Sequence, residues 1–258
     1  MTRHMQDDRS DAIERMNRFV KRMNEVERDL TAPYVAPKDA ATLILVDRTG
    51  REPKVLLGKR HARHKFMPGK FVFPGGRVDP SDRQMPVARS LNRDAQANLM
   101  KRLARPSARK AQALALAAIR ETFEETGLLL GVPATEIPPV PEGPWTAFAR
   151  AKILPDLRDL HFIGRAITPP GRVRRFDTRF FTLDASAIAQ RVEGMTGPNA
   201  ELVELVWLPL TAVKDLDMSA VTGVMLEELD ARIADGFRHN LPVPFYRMPR
   251  GRFMREML

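Results

Sequence analysis

Apolar positions along the chain fall into two rhythms. Ile13, Met16, Phe19, Val20, Met23 and Val26 recur at three- and four-residue steps among charges, which predicts an amphipathic helix over 9–29. The two prolines of "TAPYVAPKDA" end it. Strand-like runs follow at 40–47 ("AATLILVD") and 54–60 ("KVLLGKR"), joined by the turn-like "RTGREP". "KFVFPGG" at 70–76 reads as a short strand entering a proline–glycine corner. In the polar stretch 77–106 a helix is expected around 88–104. Ser107 should cap a longer helix through "ARKAQALALAAIRETFEET", with Gly127 at its C-cap. After the proline-rich loop 132–144 come a short helix at 145–151, strands at 161–168, 175–183 and 201–210, and a helix over 219–236. No internal repeat and no clean linker interrupts this order. The pattern is that of one mixed α/β domain with decorated ends.

The end of the long helix, "RETFEETG" at 120–127, gathers three carboxylates. At about 100° per residue, Ala115, Ile119, Phe123 and Leu116 form an apolar face. Glu121, Glu124 and Glu125 fall on the other side. Like charges at i and i+4 repel, and the last turn of a helix disfavours anions. A divalent cation would reverse that repulsion, and Mg²⁺ favours oxygen ligands. The upstream corner "FVFPGGRVDPSD" adds two glycines that permit close backbone approach, so a carbonyl from it can join the carboxylates.

Composition narrows the chemistry. There is no cysteine, which excludes disulfides, zinc thiolate sites and thiol nucleophiles. The five histidines include one close pair, His61 and His64, within the basic run "KRHARHK". A net charge of +10 points toward anionic partners such as nucleotides and coenzymes. No apolar run is long enough to cross a bilayer and the N-terminus lacks a signal-peptide core, so a cytoplasmic location without membrane contact is expected.

The two glycine- and glutamate-bearing segments together resemble the Nudix hydrolase box, G-x5-E-x7-R-E-U-x-E-E-x-G-U, where U is aliphatic. Arg120, Glu121, Glu124, Glu125, Gly127 and Leu128 match its second half, with Thr122 at the first U position. Gly76 matches its opening glycine, and Asp82 stands where the first glutamate belongs. Residues 83–119 separate Asp82 from Arg120, about thirty more than the box allows. A branch of the superfamily that includes CoA and acyl-CoA diphosphatases is similar in carrying such an insert, and "ITPPGRVRRFDTRFF" at 167–181 resembles a segment of that branch.

The resemblance implies an α+β Nudix fold, an α/β/α sandwich with a mixed sheet between helices. It divides the chain into an N-terminal helical extension (1–36), a Nudix domain (37–240, insert about 83–112) and a C-terminal extension (241–258). It implies hydrolysis of a diphosphate linkage in a nucleoside diphosphate derivative, with CoA or acyl-CoA the favoured class. ADP-ribose, dinucleotides or capped RNA are the alternatives, as is a non-catalytic nucleotide- or nucleic-acid-binding module. Glu121, Glu124 and Glu125, with the Gly76 carbonyl, would hold Mg²⁺ or Mn²⁺, and Arg120 would orient Glu121. The general base stays open between Glu121, Glu201 and Glu204. A CoA-type signature is kept in part across 56–76. Lys59, Arg60, Arg63 and Lys65 are therefore candidate phosphate contacts, joined by Arg179 or Arg175 from the strand "RRFDTRFF". The expected partner is a small nucleotide or CoA rather than nucleic acid, and the 9–29 helix offers a surface for a homodimer.

Overall fold

The computed structural model describes residues 14, 17–21, 23–24, 34–62, 69–216 and 218–258. Among these, a mixed nine-stranded sheet runs in the order β11-β2-β1-β9-β8-β12-β13, with β3 on β2 and β4 on β1. β1 (Lys38–Asp47) lies at its centre, antiparallel to β2 (Lys54–Arg60) and parallel to β9 (Phe176–Asp184). β3 (Phe71–Val72) and β4 (Gly75–Arg77) are the two short pieces flanking the Phe73-Pro74 corner. β8 (His161–Ile167) continues the sheet beyond β9, and β11 (Leu202–Pro209) forms the edge beyond β2.

Side chains alternate across β1, and this alternation divides the core. Ala41, Leu43 and Leu45 face one cluster with Leu114, Ala115, Ala118, Ile119 and Trp145. Ile44 and Val46 face a second cluster with Phe19, Met225, Leu229 and Tyr246. Helices therefore cover both faces. The first face carries α1 (Arg93–Met100), α2 (Ala108–Thr126) and α3 (Trp145–Arg150), and the second carries α4 (Ala220–Ala234). Each buried leucine contributes about 2 kcal/mol through removal of apolar surface from water.

Both ends of α2 are set by the residues that the sequence marks. Ser107 accepts the Lys110 N–H at 3.1 Å, and Gly127, at φ 77°, donates its N–H to the Phe123 carbonyl at 2.7 Å. The burial of α2 differs from the two-faced expectation. Arg120, Thr122, Glu125 and Thr126 are buried along with the apolar stripe. β4 and the short 3-10 turn Pro80–Arg83 cover the side that an isolated helix would leave in water.

The insert and the C-terminal segment are both built into the fold. The insert is packed, with Met85, Leu91, Ala95 and Leu99 inside the first core cluster. Buried Arg165 also holds its far end, donating to the carbonyls of Lys101 and Arg102. The C-terminal segment is part of the sheet: β12 (Pro244–Arg247) pairs in parallel with β8, and β13 (Met254–Met257) pairs with β12. Short strands β5 (Leu128–Leu130), β6 (Val132–Pro133), β7 (Ile153–Leu154) and β10 (Ile188–Arg191) make two small ladders, β10 with β5 and β6 with β7. Of the helix expected over 9–29, residues 14, 17–21 and 23–24 are helical, and the rest lies outside the described residues. No helix among the described residues is long and apolar enough to cross a membrane.

Candidate functional site

The site begins where β4 folds back on β1. Thr42 pairs with Gly75, Ala41 with Gly76 and Ala40 with Arg77. Both glycines are required by close approach: a Cβ on Gly75 would overlap Thr42 and the Ala41 carbonyl, and one on Gly76 would overlap the Glu121 carboxylate. The chain then donates the Val78 N–H to the Asp39 carbonyl and enters the 3-10 turn. Asp79 caps that turn by accepting the Ser81 N–H, while Asp82 reaches back to accept the Asp79 N–H at 2.7 Å. This double cap delivers the Asp82 carboxylate, fully buried, beneath α2.

Asp82 meets Arg120 there. Arg120 donates from Nε to Asp82 Oδ1 at 2.7 Å and from Nη2 to Asp82 Oδ2 at 3.1 Å. It also donates from Nη1 to Glu121 Oε1 and Glu124 Oε2, each at 2.8 Å, and from Nη2 to the Arg77 carbonyl at 2.7 Å. One guanidinium thus ties the glycine corner, the capped turn and two glutamates into one unit. Burial works against its charge, but the hydrogen bonds and charge of Asp82, aided by Glu121 and Glu124, hold its pKa above the usual arginine value. For Asp82 burial raises the carboxyl pKa, countered by the Arg120 hydrogen bonds and charge. Burial pushes Glu121 up to about 6 and raises Glu124, in both cases against the pull of Arg120. Thr122, in a position where the box has an aliphatic residue, satisfies its buried hydroxyl by donating to the Ala118 carbonyl at 2.8 Å.

Glu125 lies deeper, at 6% exposure, and its Oε2 has no hydrogen-bond partner. Burial first, then the charge of Glu201, pushes its carboxyl well above the usual range, and Arg60 and the Gly75 N–H pull it back. Arg60 pairs with Glu201 at 2.8 Å, so Glu201 stands beside Glu125 at the start of β11. Glu204, by contrast, is an exposed residue paired in register with Lys59 on the edge of the sheet. Of the two later glutamates, Glu201 is the one beside the carboxylate cluster.

Several expected site residues are placed elsewhere. Arg179 is 1% exposed and locked in the core, donating from Nη1 to Asp39 Oδ1 and to the Asp177 carbonyl, both at 2.6 Å. It faces α2 because it alternates in step with Asp177 and Phe181, and from there it does not reach a solvent-borne phosphate. Arg175 is likewise consumed, donating to the carbonyls of Thr168 and Val35. Lys59 projects over the Phe71 ring, 5.9 Å from its centroid. Arg63, with His64 and Lys65, lies outside the described residues. Among the described residues no three His, Asp or Glu side chains converge to hold a metal ion, which departs from the expected Glu121–Glu124–Glu125 cage. Arg120 Nη1 instead donates to both Glu121 and Glu124. The donor chemistry nevertheless fits a hard divalent cation: all-oxygen side chains, raised carboxyl pKa values, one buried carboxylate oxygen without a partner, and a glycine against Glu121.

Comparison with known proteins gives a consistent picture. The NUDT19 Nudix domain family matches residues 37–152. A Xenopus laevis protein named acyl-coenzyme A diphosphatase NUDT19 is 34% identical over 134 residues, 37% of this chain and 35% of that protein. The putative nudix hydrolase 7 of Caenorhabditis elegans is 35% identical over 92 residues, 36% of this chain and 22% of that protein. The chain therefore matches about a third or less of the length of these two relatives. The crystal structure of a NUDIX hydrolase from Alicyclobacillus acidocaldarius is similar at a TM-score of 0.55 and 29% identity, covering 76% of this chain and 91% of that one.

Proposed function

Because this chain belongs to the Nudix hydrolase superfamily, we propose that it hydrolyses the diphosphate linkage of a nucleoside diphosphate derivative, with CoA or an acyl-CoA as the substrate class. The observation that carries this reading is the joining of the two halves of the box. Arg120 bonds Asp82, Glu121, Glu124 and the Arg77 carbonyl, although residues 83–119 intervene in sequence. The identity to a protein named acyl-coenzyme A diphosphatase supports the choice of substrate class.

In this reading Glu121, Glu124 and Glu125 hold Mg²⁺ or Mn²⁺ beside Gly76. When bound, such an ion neutralises phosphate charge and lowers the pKa of water. The chain's own residues do the rest. Arg120, anchored by Asp82, fixes the rotamers of Glu121 and Glu124. The Gly75 N–H holds one side of Glu125. In this reading Glu201, half-exposed and paired with Arg60, would accept a proton from the attacking water. Arg60, beside Glu201, would meet a substrate phosphate, whereas its neighbour Lys59 points to the other face of the strand, over Phe71.

The test offers purified protein with Mg²⁺ or Mn²⁺ a panel of CoA, acetyl-CoA, ADP-ribose, NADH and diadenosine polyphosphates, with products resolved. The expected outcome is adenosine 3′,5′-bisphosphate plus 4′-phosphopantetheine from CoA. Cleavage of ADP-ribose with none of CoA would refute the substrate class, and no cleavage of any member would refute the hydrolase reading.

A further inference from the structure

On the sheet face opposite the glutamates, the described part of the N-terminal helix lies against the C-terminal hairpin. Phe19 packs edge-on against Tyr246 and Phe253, with ring centroids 5.8 and 5.5 Å apart. Asn24 closes the joint as a strand partner would: its Nδ2 donates to the Phe253 carbonyl at 2.9 Å and its Oδ1 accepts the Phe253 N–H at 2.6 Å. Between the two elements runs an open groove of about 540 Å³, lined by Asn17, Val20, Lys21, Asn24, Gly251 and Arg252.

Among the described residues the charged lining is cationic. Arg247 and Arg255 of the same segment are neutralised, by Glu256 at 2.7 Å and Glu228 at 2.9 Å. Lys21 and Arg252 are exposed, and neither makes an ion pair among the described residues. The turn forming one wall adds to this. Arg252 donates its N–H to the Pro249 carbonyl at 3.1 Å, and the two residues between them, Arg250 at φ 49° and Gly251 at φ 79°, both take positive φ. A turn with two positive-φ centres favours Asn, Asp or Gly at the first. Arginine there is held at a conformational cost, with its side chain exposed. The two lining cations, Lys21 and Arg252, repel each other, and an anion between them would reverse that repulsion.

We propose that this groove is a binding site for a small polyphosphate or phosphorylated anion, separated from the glutamate site by the sheet. Among the described lining residues Val20 is the one apolar side chain and none is aromatic, so the groove selects the phosphate charge and offers no platform for a base. Asn17 supplies a directional hydrogen bond beside the charges, while Asn24, whose amide donates to the Phe253 and Val20 carbonyls, holds the wall in place.

The test titrates pyrophosphate into the ¹⁵N-labelled full chain, metal-free and at constant ionic strength, with NMR as the readout. Saturating shifts are expected at Gly251, Arg252 and the Asn17 and Asn24 side-chain amides. The double variant Lys21→Glu/Arg252→Glu should weaken binding at least tenfold, with far-UV circular dichroism and turnover unchanged. If charge reversal disturbs the fold, Lys21→Gln/Arg252→Gln carries the same comparison, with at least a threefold loss expected. Unsaturable shifts scattered over the basic surface, or variant affinity within twofold of the parent in a folded protein, would overturn the assignment.

Discussion

Replacing Asp82 by asparagine keeps the volume of the side chain and removes its charge. The site presents only donors to that carboxylate: Arg120 Nε and Nη2, and the Asp79 N–H. An amide has one acceptor oxygen, so its Nδ2 must face one of those donors. Breaking a buried ion pair by removing one partner costs about 3–5 kcal/mol, because the remaining charge is left buried. Arg120 retains Glu121, Glu124 and the Arg77 carbonyl as acceptors, so the lower end, about 3 kcal/mol, is expected. Urea unfolding followed by far-UV circular dichroism at pH 7 measures it as a lower midpoint at unchanged slope. In a cycle with Arg120→Met, the double variant should be less destabilised than the sum of the singles by more than about 1.5 kcal/mol. A loss below about 1 kcal/mol for Asp82→Asn, or additivity in the cycle, would refute the claim that Arg120 and Asp82 act as a buried pair.

Gly76→Ala should cut turnover at least about tenfold while lowering stability by no more than about 2 kcal/mol, because the added methyl meets the Glu121 carboxylate; unchanged kcat/KM would contradict the role of that contact. Acid should destabilise the protein through His161, which is buried against the stacked His239 ring, 3.8 Å between centroids. Burial, with the charges of Arg232 and Arg48 nearby, lowers its pKa from 6.5 to about 3. The unfolded chain therefore takes up the proton first as pH falls, so the penalty is absent above about 6.5 and grows from there toward about 3. At pH 5 it amounts to about 2 kcal/mol. Urea midpoints at pH 5 and 7 should differ less in His161→Phe than in the parent, and equal differences would exclude this residue as the source.

What the sequence disclosed was local. Ser107 and Gly127 announce the ends of α2 because capping is settled by the residues at the ends themselves. The strand Lys54–Arg60 follows from a short apolar run bounded by a turn. Of the box, Arg120, Glu121 and Glu124 are legible, and the structure shows their partner Asp82, whose shorter side chain is compensated by the cap at Asp79. Long-range packing was hidden. A helical wheel counts neighbours along one helix and cannot see β4 and the 3-10 turn laid over its polar side, so the burial of Glu125 does not follow from it. Arg179 was misread because period-two alternation names two faces without saying which is covered, and an arginine on the covered face can be paid for by Asp39 and Asp177. The C-terminal strands escaped notice because Pro244–Arg247 joins a parallel neighbour far away in sequence, and nothing within "PFYR" reports that.

Glu125→Gln tests the central claim most directly. Glu125 is the most buried of the three glutamates, and its unpartnered Oε2 is where the donor set most needs a cation. The substitution keeps the shape and removes only the charge, and far-UV circular dichroism and the urea midpoint report whether the fold survives. Turnover of the best substrate, measured with Mg²⁺ or Mn²⁺, should fall at least about a hundredfold in a protein as stable as the parent or more so, since burial opposes that charge. Activity within about twofold of the parent would contradict the assignment of the Glu121–Glu124–Glu125 cluster as the catalytic centre.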